Sequence, residues 1–326
     1  MFDGIRTDPD RIKRRIPGPP EGGREPPARP SRGRGPRGRS GILTRRRPEG
    51  LSLAGEVPGR AGARRTRSLS SLTIRVSDVA IRLTAEDSRF IASARRRYRP
   101  FVTNRSPQLR LQLELVRESL RPHRTRPRVV WDGRAGRIER HDLELDLAPG
   151  IGRATIVRAP SPLDSLLRIA LSFELAKRGG FLCHSAAVDG WLFPGLSGAG
   201  KSTLGRAAPK NRLLADELVG VVGSRLWGTP FRGDFLPGKN PRSRPLQAIF
   251  LLDRHGPRGV AEVPKTAALV RILRCALYFG NDAGDGGRIL AAARRSVLGA
   301  RTFALSYDAR KTAFAGVEAM IRRALR

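Results

Sequence analysis

Lysine is nearly missing from this sequence: of 63 basic residues only 7 are Lys, and the other 56 are Arg. Cysteine is as scarce, with 2 in 326 residues. Cys183 and Cys275 can build neither a disulfide framework nor a four-cysteine zinc site, which points to a reducing compartment. Long hydrophobic runs are absent too. The most apolar stretch, 246–252, is far shorter than the roughly 18–20 residues that span a bilayer, and residues 1–30 lack the apolar centre of a secretory signal. The expectation is a cytoplasmic protein with no membrane partner.

What is abundant is positive charge, which against 29 acidic residues leaves a net +34. Such an excess raises nucleic acid as a partner, because each phosphate contact by Lys or Arg releases counterions. The charge is not concentrated, however. Residues 1–70 hold 18 basic and 7 acidic residues, a net of +11, which leaves +23 for the other 256. The same segment has 10 prolines and 12 glycines, and 30–41 contains nothing apolar to offset the entropy of ordering it. It reads as a disordered Arg/Gly/Pro-rich tail. No aromatic residue for stacking on bases lies between Phe2 and Phe90, so nucleic acid is not the favoured partner.

From residue 71 short alternating segments begin. Leu109–Val116 (LRLQLELV) alternates strictly, the signature of a half-buried strand. With neighbours at 72–76, 79–83, 129–131, 137–140 and 143–147, and one helix at 88–98, residues 71–158 read as a small β-rich lobe. The run 163–178 carries apolar residues over a broad helical face and stops at Gly179-Gly180. Strand-like and helix-like segments then alternate to the end, with helices expected at 265–277, at 288–298 and from about 311, so 159–326 reads as an α/β domain with a largely buried sheet.

One motif carries chemistry. Gly195–Ser202 reads GLSGAGKS, a full match to G-x-x-x-x-G-K-[ST], the phosphate-binding loop. Chance yields roughly one such match per hundred chains of this composition. Every position contributes. Gly195, Ser197, Gly198, Ala199 and Gly200 let backbone N–H groups turn inward on phosphates, and the following helix adds its positive end. Lys201 reaches the β- and γ-phosphates, and Ser202, followed by Thr203, ligates Mg²⁺. A slim lysine amid 56 arginines sharpens this reading, since a guanidinium fork is bulky there. Downstream, the strand-like Leu213-Leu214-Ala215 ends in Asp216-Glu217. Carboxylates at such a strand end can hold Mg²⁺ or take the proton of an attacking hydroxyl. Upstream, His184 lies in an apolar run one hairpin strand before the loop, where it can face the γ-phosphate. Arg232, Arg254, Arg271 and Arg274 are candidates for neutralising a transferring phosphoryl group.

The order H-x(10)-G-L-S-G-A-G-K-S-T followed by L-L-A-D-E resembles the catalytic domain of HPr kinase/phosphorylase and its relatives, with the phosphoenolpyruvate-carboxykinase-like P-loop fold. The resemblance spans about 165–310. It implies that His184 matches the family histidine, Gly195 to Ser202 the loop, and Asp216 the general base that activates an acceptor serine. Thr203 stands where the family has Glu, and Glu217 where it has a second Asp, so the chain is similar to divergent bacterial HPr-kinase-related proteins. The expected function is ATP/Mg²⁺-dependent phosphoryl transfer to a serine of a protein or peptide, with catalytic Asp216 and His184 and metal-binding Ser202 and Glu217. The family also implies a homo-oligomer. The alternatives are a nucleotide-regulated basic protein that binds nucleic acid, and a small-molecule kinase.

Overall fold

Alternation decides the first sheet. A computed structural model describes residues 68–196, 198–231, 240–308 and 312–326. The expected tail at 1–70, apart from its last three residues, therefore lies outside the described residues, as do Ser197 and Arg232. In β3 (Leu109–Val116) Leu109, Leu111 and Leu113 are buried while Arg110, Gln112 and Glu114 are exposed, as a period of two requires. β1 (Ser70–Val76) and β2 (Val79–Ala85) form a hairpin. Its two turn residues, Ser77 and Asp78, both have positive φ (50° and 69°), the backbone of a tight turn whose twist suits the flanking strands. Helix α1 (Ser88–Arg97) then crosses to β3, which pairs parallel with β2. Asp87 starts that helix by accepting the Phe90 N–H at 2.9 Å. β4 (Arg128–Trp131), β5 (Gly136–Glu139), β6 (Leu143–Ala148) and β7 (Ile151–Val157) form an antiparallel meander, and β7 closes parallel on β3. Among the described residues this makes a seven-stranded sheet in the order β1-β2-β3-β7-β6-β5-β4.

Helix α2 (Pro160–Lys177) is buried on nearly every side. A helix that is apolar all round must lie between two layers. Leu163, Leu166, Leu167 and Phe173 share one core with Leu72, Ile81, Leu83 and Leu111 of the first sheet and with Leu182 and Leu218 of the second. Gly179, at φ 66°, ends the helix in the left-handed conformation that glycine tolerates.

The second sheet is built on β8 (Gly180–Val188) and β9 (Trp191–Pro194), a hairpin turned by Asp189-Gly190. β10 (Leu213–Ala215) and β11 (Leu218–Val222) both pair antiparallel with β8. β12 (Arg225–Trp227) and β13 (Ser243–Pro245) extend that side. On the other side β14 (Ala248–Leu252) pairs parallel with β9, β17 (Arg301–Ser306) pairs parallel with β14, and β15 (Gly259–Glu262) closes the edge. All five residues of β14 are buried, which a parallel strand covered on both faces demands. Ile249 and Leu251 point into a core with Ile272 of α4 (Lys265–Cys275) and Ile289 of α5 (Ala283–Leu298). Ala248, Phe250 and Leu252 point into the opposite core with Leu204 of α3 (Lys201–Ala207) and with Phe314, Val317 and Ile321 of α6 (Phe314–Ala324). Helices thus cover both faces of a mixed sheet, and the chain is an α/β protein with parallel and antiparallel strands.

Several boundaries differ from the sequence reading. Helix α5 begins at Ala283 rather than 288, because Asp282 accepts the Asp285 N–H at 2.8 Å and starts a helix through Gly284, Gly286 and Gly287. The helix read as 265–277 stops at Cys275, and Ala276–Leu277 become β16, paired with β8. The C-terminal helix starts at Phe314, and Lys311 lies outside the described residues. Among the described residues no helix is long and apolar enough to cross a membrane.

Candidate active site

The phosphate-loop sequence leaves β9 and enters α3. The Gly195 N–H donates to the His184 carbonyl at 3.3 Å, which ties the start of the loop to the neighbouring strand. Gly198 and Gly200 hold φ values of 83° and 100°, conformations that side chains resist. Ala199 donates to the Leu196 carbonyl at 3.2 Å and closes the curl. The next residue, Lys201, is the first of α3 and is only 5% exposed. Its Nζ donates to the Leu196 carbonyl at 2.9 Å, so the ammonium lies inside its own loop. Burial pulls its pKa below the usual lysine value, with Glu217 opposing that shift. Ser202 is half-buried and Thr203 is exposed.

β8 and β11 form the facing wall. Leu218 is the register partner of His184, and the Ser185 N–H donates to the Glu217 carbonyl at 3.1 Å. This pairing brings His184 Nδ1 to 3.6 Å from Glu217 Oε1. Burial, then the positive charges of Lys201 and Arg168, hold the His184 pKa down to about 4, so its ring is neutral at pH 7. Asp216 is 3% exposed. A Cβ at Gly205 would lie 3.1 Å from the Asp216 Cβ, so this glycine lets α3 close directly on the carboxylate-bearing strand end. Lys201, His184 and Glu217 therefore share one electrostatic neighbourhood, and Asp216 packs against the helix that carries Lys201 and Ser202.

Of the arginines considered from sequence, Arg254 reaches the loop. It follows β14, the parallel neighbour of β9, and its Nε and Nη2 lie 3.8 Å from where a Gly200 Cβ would stand. Arg271 and Arg274 are on α4 and act electrostatically on Cys275. Both cysteines are buried in one apolar cluster, and burial pushes both thiols up, which makes them packing residues. Among the described residues no group of three or more His, Cys, Asp or Glu forms a metal cage.

Sequence reasoning missed Arg168. Its charge acts on His184 and is opposed by Glu217, and its guanidinium carbon lies 5.1 Å from the Phe231 ring centroid. The signal was present: Arg168 is the one basic residue from Pro160 to Ala176, in a helix otherwise committed to burial. No protein-family model matches this chain, and no curated protein matches it either.

Proposed function

We propose that this protein is a cytoplasmic, ATP- and Mg²⁺-dependent phosphotransferase acting on a hydroxyl, specifically a serine of a protein or peptide. The observation that carries the reading is the G-x-x-x-x-G-K-S sequence between β9 and α3, with a buried Lys201 that shares its surroundings with His184 and Glu217. Backbone N–H groups of Gly198 to Ser202 cradle the phosphates, and Lys201 exchanges the Leu196 carbonyl for phosphate oxygens. Ser202 and Glu217 are half-buried hard-oxygen donors, the kind Mg²⁺ takes when phosphates and water complete its shell. Bound there, the ion supplies charge neutralisation at the β- and γ-phosphates. Asp216 accepts the proton of the acceptor hydroxyl as that oxygen forms its bond to the γ-phosphorus and the bond to the ADP oxygen breaks. His184, neutral at pH 7, orients Glu217 without adding charge beside Lys201.

Two variants test this reading with γ-labelled ATP and serine peptides encoded by neighbouring genes. Lys201→Ala should weaken ATP binding about 10- to 100-fold by calorimetry, the worth of a charge-assisted hydrogen bond. Asp216→Asn should keep ATP affinity within about threefold yet lower phosphate transfer by about 10²- to 10⁴-fold. Unchanged ATP affinity in the lysine variant removes the loop from the function, and retained transfer in the Asn variant removes Asp216 from its role.

A further inference from the structure

The outer face of the first sheet divides into two halves of different chemistry. Over β5 and β6 the cations are matched. Arg137 pairs with Glu139 at 2.9 Å, Glu144 at 3.0 Å and Asp146 at 3.1 Å, and Arg121, from the β3–β4 connection, pairs with Glu139 and Glu144 at 3.0 and 3.1 Å. Over β2, β3 and β7 they are not matched. Arg82, Arg110 and Arg153 are exposed, and among the described residues none of the three pairs with a carboxylate. Arg82 Nε donates to Thr73 Oγ1 at 3.4 Å. Arg153 stands opposite Asp146, but Arg137 already holds that carboxylate.

The strand register makes this arrangement costly. Arg82 and Arg110 are direct partners in the β2–β3 pairing, so two like charges stand on strands about 4.8 Å apart. Gln112, two residues further along β3, is the partner of Arg153, which sets Arg153 diagonally about 8 Å from Arg110. The face is open, since Ile151, the β7 partner of Arg110, is 51% exposed. Three guanidinium groups, with the Gln112 amide and the Thr84 hydroxyl between them, form one hydrogen-bond-donating surface without an anion to accept from it.

The borders of the surface decide what fits it. Glu114, the next outward residue of β3, and Glu144 and Asp146 of β6 lie on the same face, so a long uniform polyanion crossing it meets carboxylates on two sides. No aromatic residue of β1 to β7 stands on that outer face to stack on a base. The first 70 residues of the chain carry a net +11, the wrong sign to cover it. A short acidic segment matches. In an extended peptide, side chains two residues apart lie about 7 Å from each other, close to the Arg110–Arg153 spacing, and a guanidinium takes a carboxylate through two parallel hydrogen bonds.

We infer that the β2–β3–β7 face is a docking surface for a short acidic segment, two or three Asp or Glu residues in extended conformation, of a partner protein or peptide. Arg82, Arg110 and Arg153 hold its carboxylates. Docking there does not use the phosphate loop and is independent of the phosphotransferase reading.

The probe is a fluorescein-labelled peptide with four alternating Glu and Asp residues between Gly-Ser ends, titrated with the full chain at low salt and followed by anisotropy. Wild-type protein should bind it at least about tenfold more tightly than the same peptide carrying Gln and Asn. Arg82→Gln with Arg110→Gln should lower that affinity about five- to tenfold, the worth of two exposed ion pairs. The control, Arg294→Gln with Arg323→Gln, removes two exposed charges on α5 and α6 and should change it less than about twofold. Equal weakening in the two double variants assigns the binding to overall charge and overturns the docking surface. A wild type that binds the acidic and amide peptides alike overturns it as well. An oligothymidylate of equal charge that binds more tightly, and loses more in the Arg82 and Arg110 variant, replaces the acidic peptide by nucleic acid and overturns the inference. Relieving the repulsion should leave the thermal midpoint of that variant unchanged or higher. Should it unfold, Arg110→Gln alone decides, with a loss of about two- to threefold expected and an undiminished affinity overturning the inference.

Discussion

The indole Nε1 of Trp131 donates a 3.0 Å hydrogen bond to Oδ2 of Asp285, a residue of 0% exposure that lies 154 positions further along the chain. The same oxygen accepts from the Tyr278 hydroxyl at 2.7 Å, and Arg288 pairs with the other oxygen. Trp131 also stacks on Phe173 at 4.0 Å between ring centroids. One carboxylate thus fastens the first sheet to α5 and, through the stack, to α2.

Replacing Asp285 with Ala should therefore destabilise the protein by about 3–5 kcal/mol, since it strands a buried indole N–H and unpairs a charge. Urea unfolding followed by tryptophan fluorescence measures this. A loss below about 1 kcal/mol, the net worth of an ordinary hydrogen bond, would show that the contact does not fasten the layers.

A second fastening is steric. A Cβ at Gly220 of β11 would lie 1.9 Å from Ser77 Oγ in the β1–β2 turn, closer than any contact allows. Gly220→Ala should cost about 1–3 kcal/mol by overpacking. Adding Ser77→Gly should recover part of that loss, because glycine also suits the φ of 50° at this turn. A double-mutant cycle with purely additive losses would contradict the contact.

Acid should act through His184. Its folded pKa of about 4 lies below the 6.5 of an unperturbed imidazole, so the unfolded chain binds the proton first. Stability is complete above about pH 6.5 and declines as pH falls through the window to about 4. Over that window wild type should lose about 3 kcal/mol relative to His184→Gln. The check is a pair of denaturant titrations from neutral pH down through that window, and parallel curves for the two proteins would refute it.

Glu318 sets a different, more acidic limit. Arg212 donates to it at 2.8 and 3.0 Å and Arg322 at 2.6 Å, and these hydrogen bonds lower its pKa from 4.5 to about 2. The stability from this network is present above about pH 4.5 and is lost as pH falls through about 2. Arg322 is largely exposed, so screening keeps the effect near about 1 kcal/mol. Glu318→Gln should lower the thermal midpoint at neutral pH and low salt, and salt at about 1 M should shrink the difference. Equal midpoints at low salt would show that the network adds nothing.

The sequence was most legible where burial has a simple period. The alternation of LRLQLELV foretold β3, and the glycines and lysine of the loop foretold a tight curl followed by a helix. It was least legible where a side chain from one layer completes another. Glycines hid the start of α5 because their low helix propensity was offset by the Asp282 cap. Arg168 was passed over because its worth depends on Glu217, 49 positions later and reached only through the β8–β11 register.

By itself the chain determined its local structure: which residues curl into a tight loop, which strand ends in carboxylates, and which segments must be buried on one face or two. Those follow from side-chain volume, backbone freedom and periodicity, all local properties. The tertiary structure alone decided which charges share a low-dielectric space. Packing α2 between two sheets brought Arg168 into range of His184, strand pairing set Glu217 against that same histidine, and Gly205 let Asp216 close on α3. Electrostatic interactions act through space rather than along the chain, so only the folded arrangement could fix them.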